Sequence, residues 1–397
     1  MHSIFARRTA WDLTTNRYTQ ALEAHRAAGK ELLDLTASNP TVVGLRYDEE
    51  PLLKALASRD ALRYEPQPKG LLCARAAVAR YYAERGVTLS TDDLMLTTST
   101  SEGYSFVFRL LCDPGDALLV PAPSYPLFDF LADIQDVKLF PYELVYDHAW
   151  QIDFPSLQAA MQQAKLTEAR CPAVLVVHPN NPTGSYVKAH EREQLNDLCR
   201  ENGMAIIADE VFLDYSISGQ TAPSFANNQP ALTFTLSGLS KISALPQMKV
   251  AWIAISGPPA LQREALSRLE VIADTYLSMN APVQFAVPVM LEQRHSIQAQ
   301  LLERVRQNLA QLDAQLAAQP PCRRLELEGG WYAVLRVPAI VSDEELAIAL
   351  LQQSGVLVQP GHFYGFTDNG HLIASLITPP ETFAQGIRLT LEQVAAL

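Results

Sequence analysis

Ala173-Val-Leu-Val-Val-His-Pro-Asn-Asn-Pro-Thr-Gly184 joins an unbroken apolar run to a turn of proline, asparagine and glycine. A short apolar run bounded by turn residues reads as a strand buried on both faces, as parallel strands are. The pattern recurs in Met204-Ala-Ile-Ile-Ala-Asp-Glu210 and again in Leu232-Thr-Phe-Thr-Leu-Ser-Gly-Leu-Ser-Lys241. An amide (Asn181), a carboxylate (Asp209) and an amine (Lys241) therefore arrive at the carboxyl ends of strands, where open α/β sheets bind ligands.

Outward from this region, strands are expected at 117–121, 173–178, 205–209, 232–236 and 250–255, mostly separated by helical stretches. Such alternation implies right-handed crossovers and a mostly parallel central sheet with helices on both faces. The pattern is helical at 18–30 and 104–112, and from 257 to 318 with a break near 281–282. The tail alternates again, with strand-like 325–337, a helix at 343–353, strands at 356–359 and 371–377, and a last helix at 381–396. The fold class is thus α/β, with a large domain over 46–284. A smaller α+β domain is built from both chain ends, 1–45 and 285–397.

At 397 residues, 48% hydrophobic and 19% charged, the chain can bury a sizeable core. A net charge of −12 gives no electrostatic reason to bind nucleic acid. Cys73, Cys112, Cys171, Cys199 and Cys322 are scattered and odd in number, which suits a reduced compartment better than a disulfide framework. Arg7 and Arg8 are followed by Thr-Ala-Trp-Asp rather than by a signal-peptide apolar region. No apolar stretch approaches the ~20 residues a membrane span requires. The histidines form no H-E-x-x-H or Cys/His cluster, so no metal site is expected. A cytoplasmic protein without nucleic-acid or membrane partners is the expectation.

A strand-end lysine can form a Schiff base, and burial among cations lowers its pKa toward the neutral amine that attacks. A buried carboxylate needs a cationic partner, which a pyridinium nitrogen supplies. An asparagine amide can bind a phenolate oxygen. Ser99-Thr100-Ser101, ahead of a helix, offers hydroxyls and backbone N–H groups to a phosphate, although a plain helix cap reads the same. Tyr125, in Pro-Ser-Tyr-Pro, can stack on an aromatic ring. These are the protein's half of pyridoxal-phosphate chemistry.

Together these residues resemble the class I/II aminotransferases, the fold-type I pyridoxal-phosphate-dependent enzymes, from Ser38-Asn39-Pro40 to the last helix. The resemblance implies pyridoxal 5′-phosphate as cofactor. Lys241 would carry it as a Schiff base and shuttle the proton between substrate and cofactor. Asp209 would pair with the pyridine nitrogen, Asn181 would bind the phenolic oxygen, and Tyr125 would stack on the ring. Ser99, Thr100, Ser101 and Ser240 would hold the phosphate. Tyr64 would reach the phosphate of a second subunit, which implies a homodimer with shared active sites.

Four departures from the family pattern stand out. Lys249 occupies the place of a phosphate-clamping arginine and keeps the charge without the bidentate fork. Phe212 replaces a tyrosine that donates to the phenolic oxygen. The loop from Tyr64 to Gly70 is one residue longer than the common form. Ile373 occupies the place of the arginine that binds the substrate α-carboxylate. Arg388 resembles a replacement but falls in the last helix, beside the apolar face of Phe383, Ile387, Leu391 and Val394. Asn39, His362 and Arg336 remain candidates for substrate contact, whereas His178 reads as a strand-end hydrogen-bonding residue.

The expected activity is ping-pong transfer of an amino group from an amine donor to a keto-acid acceptor through pyridoxamine phosphate. A lyase or ring-forming synthase on the same scaffold is the alternative, since both begin with proton removal by Lys241. A non-catalytic effector-binding module is a third reading, and no helix-turn-helix segment accompanies it.

Overall fold

The structure is a computed structural model that describes residues 4–220, 222–318 and 321–397. Eight strands form the main sheet: Leu94–Thr97 (β1), Ala117–Ala122 (β2), Lys138–Asp147 (β3), Ala149–Ile152 (β4), Ala173–Val177 (β5), Ala205–Asp209 (β6), Thr233–Gly238 (β7) and Ala251–Ser256 (β8). Their spatial order is β1-β8-β7-β6-β5-β2-β3-β4. From β7 to β3 every neighbouring pair is parallel, with Val177, Asp209 and Leu236 in register at the carboxyl ends. That register brings the three decisive turns to one edge of the sheet.

The central strands β5, β6 and β7 are buried on both faces, which is why β5 and all of β6 before Asp209 are apolar. Leu118, Leu175 and Ile207 point into a core closed by the helices Thr100–Leu111, Phe128–Asp133 and Pro259–Tyr276. Leu119, Val174 and Ile206 point the other way, against Phe154–Leu166 and Ala189–Asn202.

A second sheet is antiparallel: Arg323–Arg324 (β9), Tyr332–Arg336 (β10), Gln359–Pro360 (β11) and His371–Ser375 (β12), in the order β9-β10-β12-β11. The helices Arg294–Leu316, Asp343–Ser354 and Pro380–Ala395 cover it. The chain's amino-terminal part joins the same core, because Leu33–Asp34 pairs in parallel with Val356–Leu357 and the Tyr18 hydroxyl donates to the Val358 carbonyl.

Two features differ from the sequence reading. The hairpin of β3 and β4 was not expected, and it edges the sheet with alternating rather than continuous burial. Strand β8 runs antiparallel to both neighbours, a direction that an all-apolar run does not encode. The five cysteines are unpaired. Among the described residues no helix is long and apolar enough to cross a membrane.

The turn after β5 is locked to the second sheet at Gly184, whose φ is +69° and whose carbonyl accepts from the Gly329 N–H at 2.9 Å. A Cβ there would run into the Gly329 carbonyl oxygen and the Leu327 side chain. Gly184→Ala combines left-handed strain with overpacking and is expected to destabilise by on the order of 3 kcal/mol. Urea unfolding checks this; an unchanged midpoint would show that the turn is free to move.

Candidate active site

Lys241 lies in the single turn Leu239–Ile242 that follows β7. Its ammonium sits 5.0 Å from the Trp331 ring and 5.5 Å from the Phe212 ring, as a cation–π contact does. Among the described residues that ammonium has one hydrogen bond, to the Ser38 carbonyl, long at 3.5 Å. No carboxylate pairs with it among the described residues. Burial therefore pulls Lys241 down to about 8, and the Asp209 carboxylate opposes that shift.

Asp209 closes β6 and is buried. One carboxylate oxygen accepts from the Tyr104 hydroxyl at 2.7 Å, the other from the Val211 N–H at 3.1 Å. Burial still raises its pKa, with those hydrogen bonds and Lys241 pulling it down. A buried carboxylate short of positive charge is thus held by two neutral donors.

Asn181 is buried and its side-chain oxygen has no hydrogen-bond partner among the described residues. The preceding Asn180 ties this turn to the Tyr125 loop, donating to the Ser124 hydroxyl at 3.1 Å. Tyr125 is partly buried against Phe128, ring centroids 5.7 Å apart, and burial and then Asp209 raise its phenol. Ser99 is the N-cap of Thr100–Leu111, accepting from the Glu102 N–H at 3.1 Å. The plain-cap reading therefore holds for the Ser99 side chain, while the N–H groups of the first turn, at Thr100 and Ser101, have no intrahelical acceptor. Ser240 directly precedes Lys241 in the short turn.

Other expected residues lie further out. Lys249 is exposed, with φ +53°, and forms no ion pair among the described residues. Tyr64 is 78% exposed and lines a separate cavity with Ser278 and Asn280. His362 is exposed against Phe363. Asn39 uses its side-chain oxygen locally, accepting from the Thr41 N–H and hydroxyl, although Ser38 beside it meets Lys241. Ile373 is fully buried. Arg388 pairs with Glu392 on the outside of the last helix. His178 accepts from the Val187 N–H and meets the Pro223 carbonyl, and burial drives it down to about 3.

Three contributors were not anticipated. Tyr104 holds Asp209, Trp331 covers Lys241, and Tyr215 donates to the Lys241 carbonyl at 2.6 Å. The available signals were weak: Tyr104 lies one turn into the helix after Ser99, and Trp331 follows Gly329-Gly330 at the head of β10.

The family model described as aminotransferase class I and II matches residues 11–381. Glutamate-pyruvate aminotransferase AlaA of Haemophilus influenzae is 28% identical over 355 residues, covering 86% of this chain and 85% of that protein. Alanine aminotransferase of Mycobacterium tuberculosis is 29% identical over 364 residues, covering 89% and 83%. An alanine aminotransferase structure from Pyrococcus furiosus shares the fold, with a TM-score of 0.87 at 22% identity over 99% of this chain and 100% of that one. With the family matched over nearly its whole length, the chain belongs to the class I and II aminotransferases.

Proposed function

We propose that this aminotransferase uses pyridoxal 5′-phosphate to move the amino group of an α-amino acid onto a keto acid, with Lys241 as the covalent attachment point. The observation that carries the reading is Lys241 itself, an amine brought down to about 8 and left without a carboxylate partner. The cation-poor Asp209 fits the same group, since a protonated ring nitrogen would supply its missing positive charge. When bound, the cofactor supplies an electron-withdrawing ring that makes the substrate α-proton removable. Asp209 would face the ring nitrogen, its geometry fixed by Tyr104. Asn181 would face the phenolic oxygen, and Tyr125 would lie against the ring. The first turn at Ser99, Thr100 and Ser101, with Ser240 and the Lys249 charge, would bind phosphate.

Lys241 Nζ then serves as the base that takes the α-proton and returns it, because a pKa of about 8 leaves a usable neutral fraction near neutrality. The Phe212 and Trp331 rings lie beside that nitrogen and give it apolar neighbours. Phe212 brings no hydroxyl to this wall, so one donor to the phenolic oxygen is missing. The names of the relatives support glutamate, alanine and pyruvate as the first substrates to try. A cytoplasmic homodimer is part of the proposal, with the exposed Tyr64 reaching a second copy. The large domain spans 46–284, and 1–45 with 285–397 make the small one.

The protein loaded with pyridoxal phosphate is expected to form alanine from glutamate and pyruvate, read by mass spectrometry. Lys241→Ala should cut that rate by at least about a hundredfold. Release of free ammonia in place of alanine would make the enzyme a lyase. A Lys241→Ala variant as fast as the parent would sink the assignment.

The lysine pKa can be read without cofactor. Acetylation of Lys241 by acetic anhydride, followed by peptide mass spectrometry, should be half-maximal near pH 8, where free lysines need about pH 10.4. Asp209→Asn removes the charge that raises the lysine pKa and should move the midpoint lower. A midpoint near 10, or a shift upward in the variant, would refute this.

A further inference from the structure

A base that takes a proton from one atom and returns it to another must start from a fixed point. The Lys241 ammonium supplies little of that fixing itself, since its one hydrogen bond among the described residues is 3.5 Å long. Its placement therefore falls to the backbone beneath it. That backbone is the single turn Leu239–Ile242, four residues long. One turn of helix is marginal alone, and its last carbonyls have no acceptor role to play within the helix.

Three side chains from distant parts of the chain meet the carbonyls at the end of this turn. The Tyr215 hydroxyl donates to the Lys241 carbonyl at 2.6 Å and the Gln298 amide to the Ile242 carbonyl at 2.9 Å. The Tyr47 hydroxyl donates to the Ala244 carbonyl at 2.7 Å. Tyr215 follows β6, Gln298 lies in the helix Arg294–Leu316, and Tyr47 precedes the helix Glu49–Leu56. Burial raises both phenols, Tyr47 to about 12, so they stay donors where the lysine titrates. The Ser243 hydroxyl adds a further tie, donating to the Met290 carbonyl at 2.9 Å.

Gln298 is itself aimed. The same amide nitrogen donates to Asp214 Oδ2 at 2.7 Å, so one of its hydrogens serves the carboxylate and the other the Ile242 carbonyl. An inverted amide would set its oxygen against two acceptors, which leaves one orientation. The Asp214 side chain is 5% exposed, and its other oxygen accepts from Arg85 and from the Tyr81 hydroxyl. Arg85 thus neutralises Asp214. Burial and Asp209, rather than this ion pair, set the Lys241 pKa. The network acts on the lysine through geometry, by way of an amide and a carbonyl.

We propose that Gln298 and Tyr215 are positioning residues for the catalytic lysine, fixing the turn from which Lys241 works, with Asp214 orienting the Gln298 amide. The assignment rests on the aminotransferase reading, but one of its tests needs no turnover. Gln298→Met keeps the bulk, removes the donor and leaves Arg85, Asp214 and Tyr81 in contact. In the cofactor-free protein it should raise the acetylation midpoint of Lys241 by at least about half a pH unit, since a loosened turn lets the amine reach water. Tyr215→Phe removes only a hydroxyl and should shift the midpoint the same way. A variant that merely weakened the fold would melt earlier and leave the midpoint of the folded protein where it was.

In the loaded enzyme, Gln298→Met should lower kcat by at least about tenfold and change KM for the amino donor by less than about twofold. The sharper comparison uses the Lys241→Ala background, where added ethylamine supplies an untethered base. There the Gln298→Met effect should disappear from the amine-rescued rate, because the turn no longer carries the base. A rescued rate that falls as far as it does with Lys241 present would make Gln298 a general support of the fold and overturn the proposal. An unchanged kcat in Gln298→Met would overturn it as well, and an unchanged midpoint in either variant removes that residue from the assignment. If the parent transfers no amino group, the aminotransferase reading fails while the acetylation midpoints still decide the positioning. They also decide it if ethylamine rescues nothing.

Discussion

Everything at this site follows from a carboxylate that ends an apolar strand. Asp209 is buried at the carboxyl edge of β6, and the energetic cost of desolvating it is only partly offset by Tyr104 and Val211. Lys241 is near enough to influence Asp209 but closes no ion pair with it. Each is therefore shifted toward its neutral form, the acid upward and the base downward. A cationic heteroaromatic placed between them would supply the counter-charge that Asp209 lacks and keep Lys241 toward its neutral amine. The parallel register of β5, β6 and β7 exists in the sequence as three apolar runs, and it is what delivers the amide, acid and amine to one edge.

That much was legible because the evidence was local. A strand buried on both faces announces itself by composition, and the residue after it inherits a known position. Lys241, Asp209, Asn181 and Tyr125 could be placed for this reason. Strand direction could not, since Ala251–Ser256 reads alike both ways and its antiparallel pairing depends on partners elsewhere in the chain. The Lys138–Asp147 strand hid for another reason. It contains Pro141, carries alternating burial and lies near the sheet edge, so it lacks the apolar run that marked its neighbours.

The residues that hold Asp209 and cover Lys241 were illegible because their contacts are long-range. Tyr104 reaches Asp209 across 105 residues of sequence, and Trp331 meets Lys241 only because Gly184 and Gly329 lock the two sheets together. Trp331 also packs at 5.1 Å against Phe212 and 4.9 Å against Tyr215. Phe212, read from sequence as a lost hydroxyl, is thus part of an aromatic wall over the lysine. The wall gives the low-dielectric surroundings that lower the Lys241 pKa, and a phenol at that position would bring a polar group into them.

The same logic orders the charges along the small sheet. Midway along β10 and β12 the paired positions are Val334 and Ile373, both buried and neutral. Two residues further along, the paired positions become Arg336 and His371, and β9 adds Arg323. Cationic charge is thus gathered at one end of the paired strands, away from their buried middle. A guanidinium beside Lys241 would lower that amine's pKa further, but it would also compete for Asp209. Held by a His371 ring that itself stacks on Phe366, Arg336 leaves the Lys241–Asp209 balance to those two residues and their neutral neighbours.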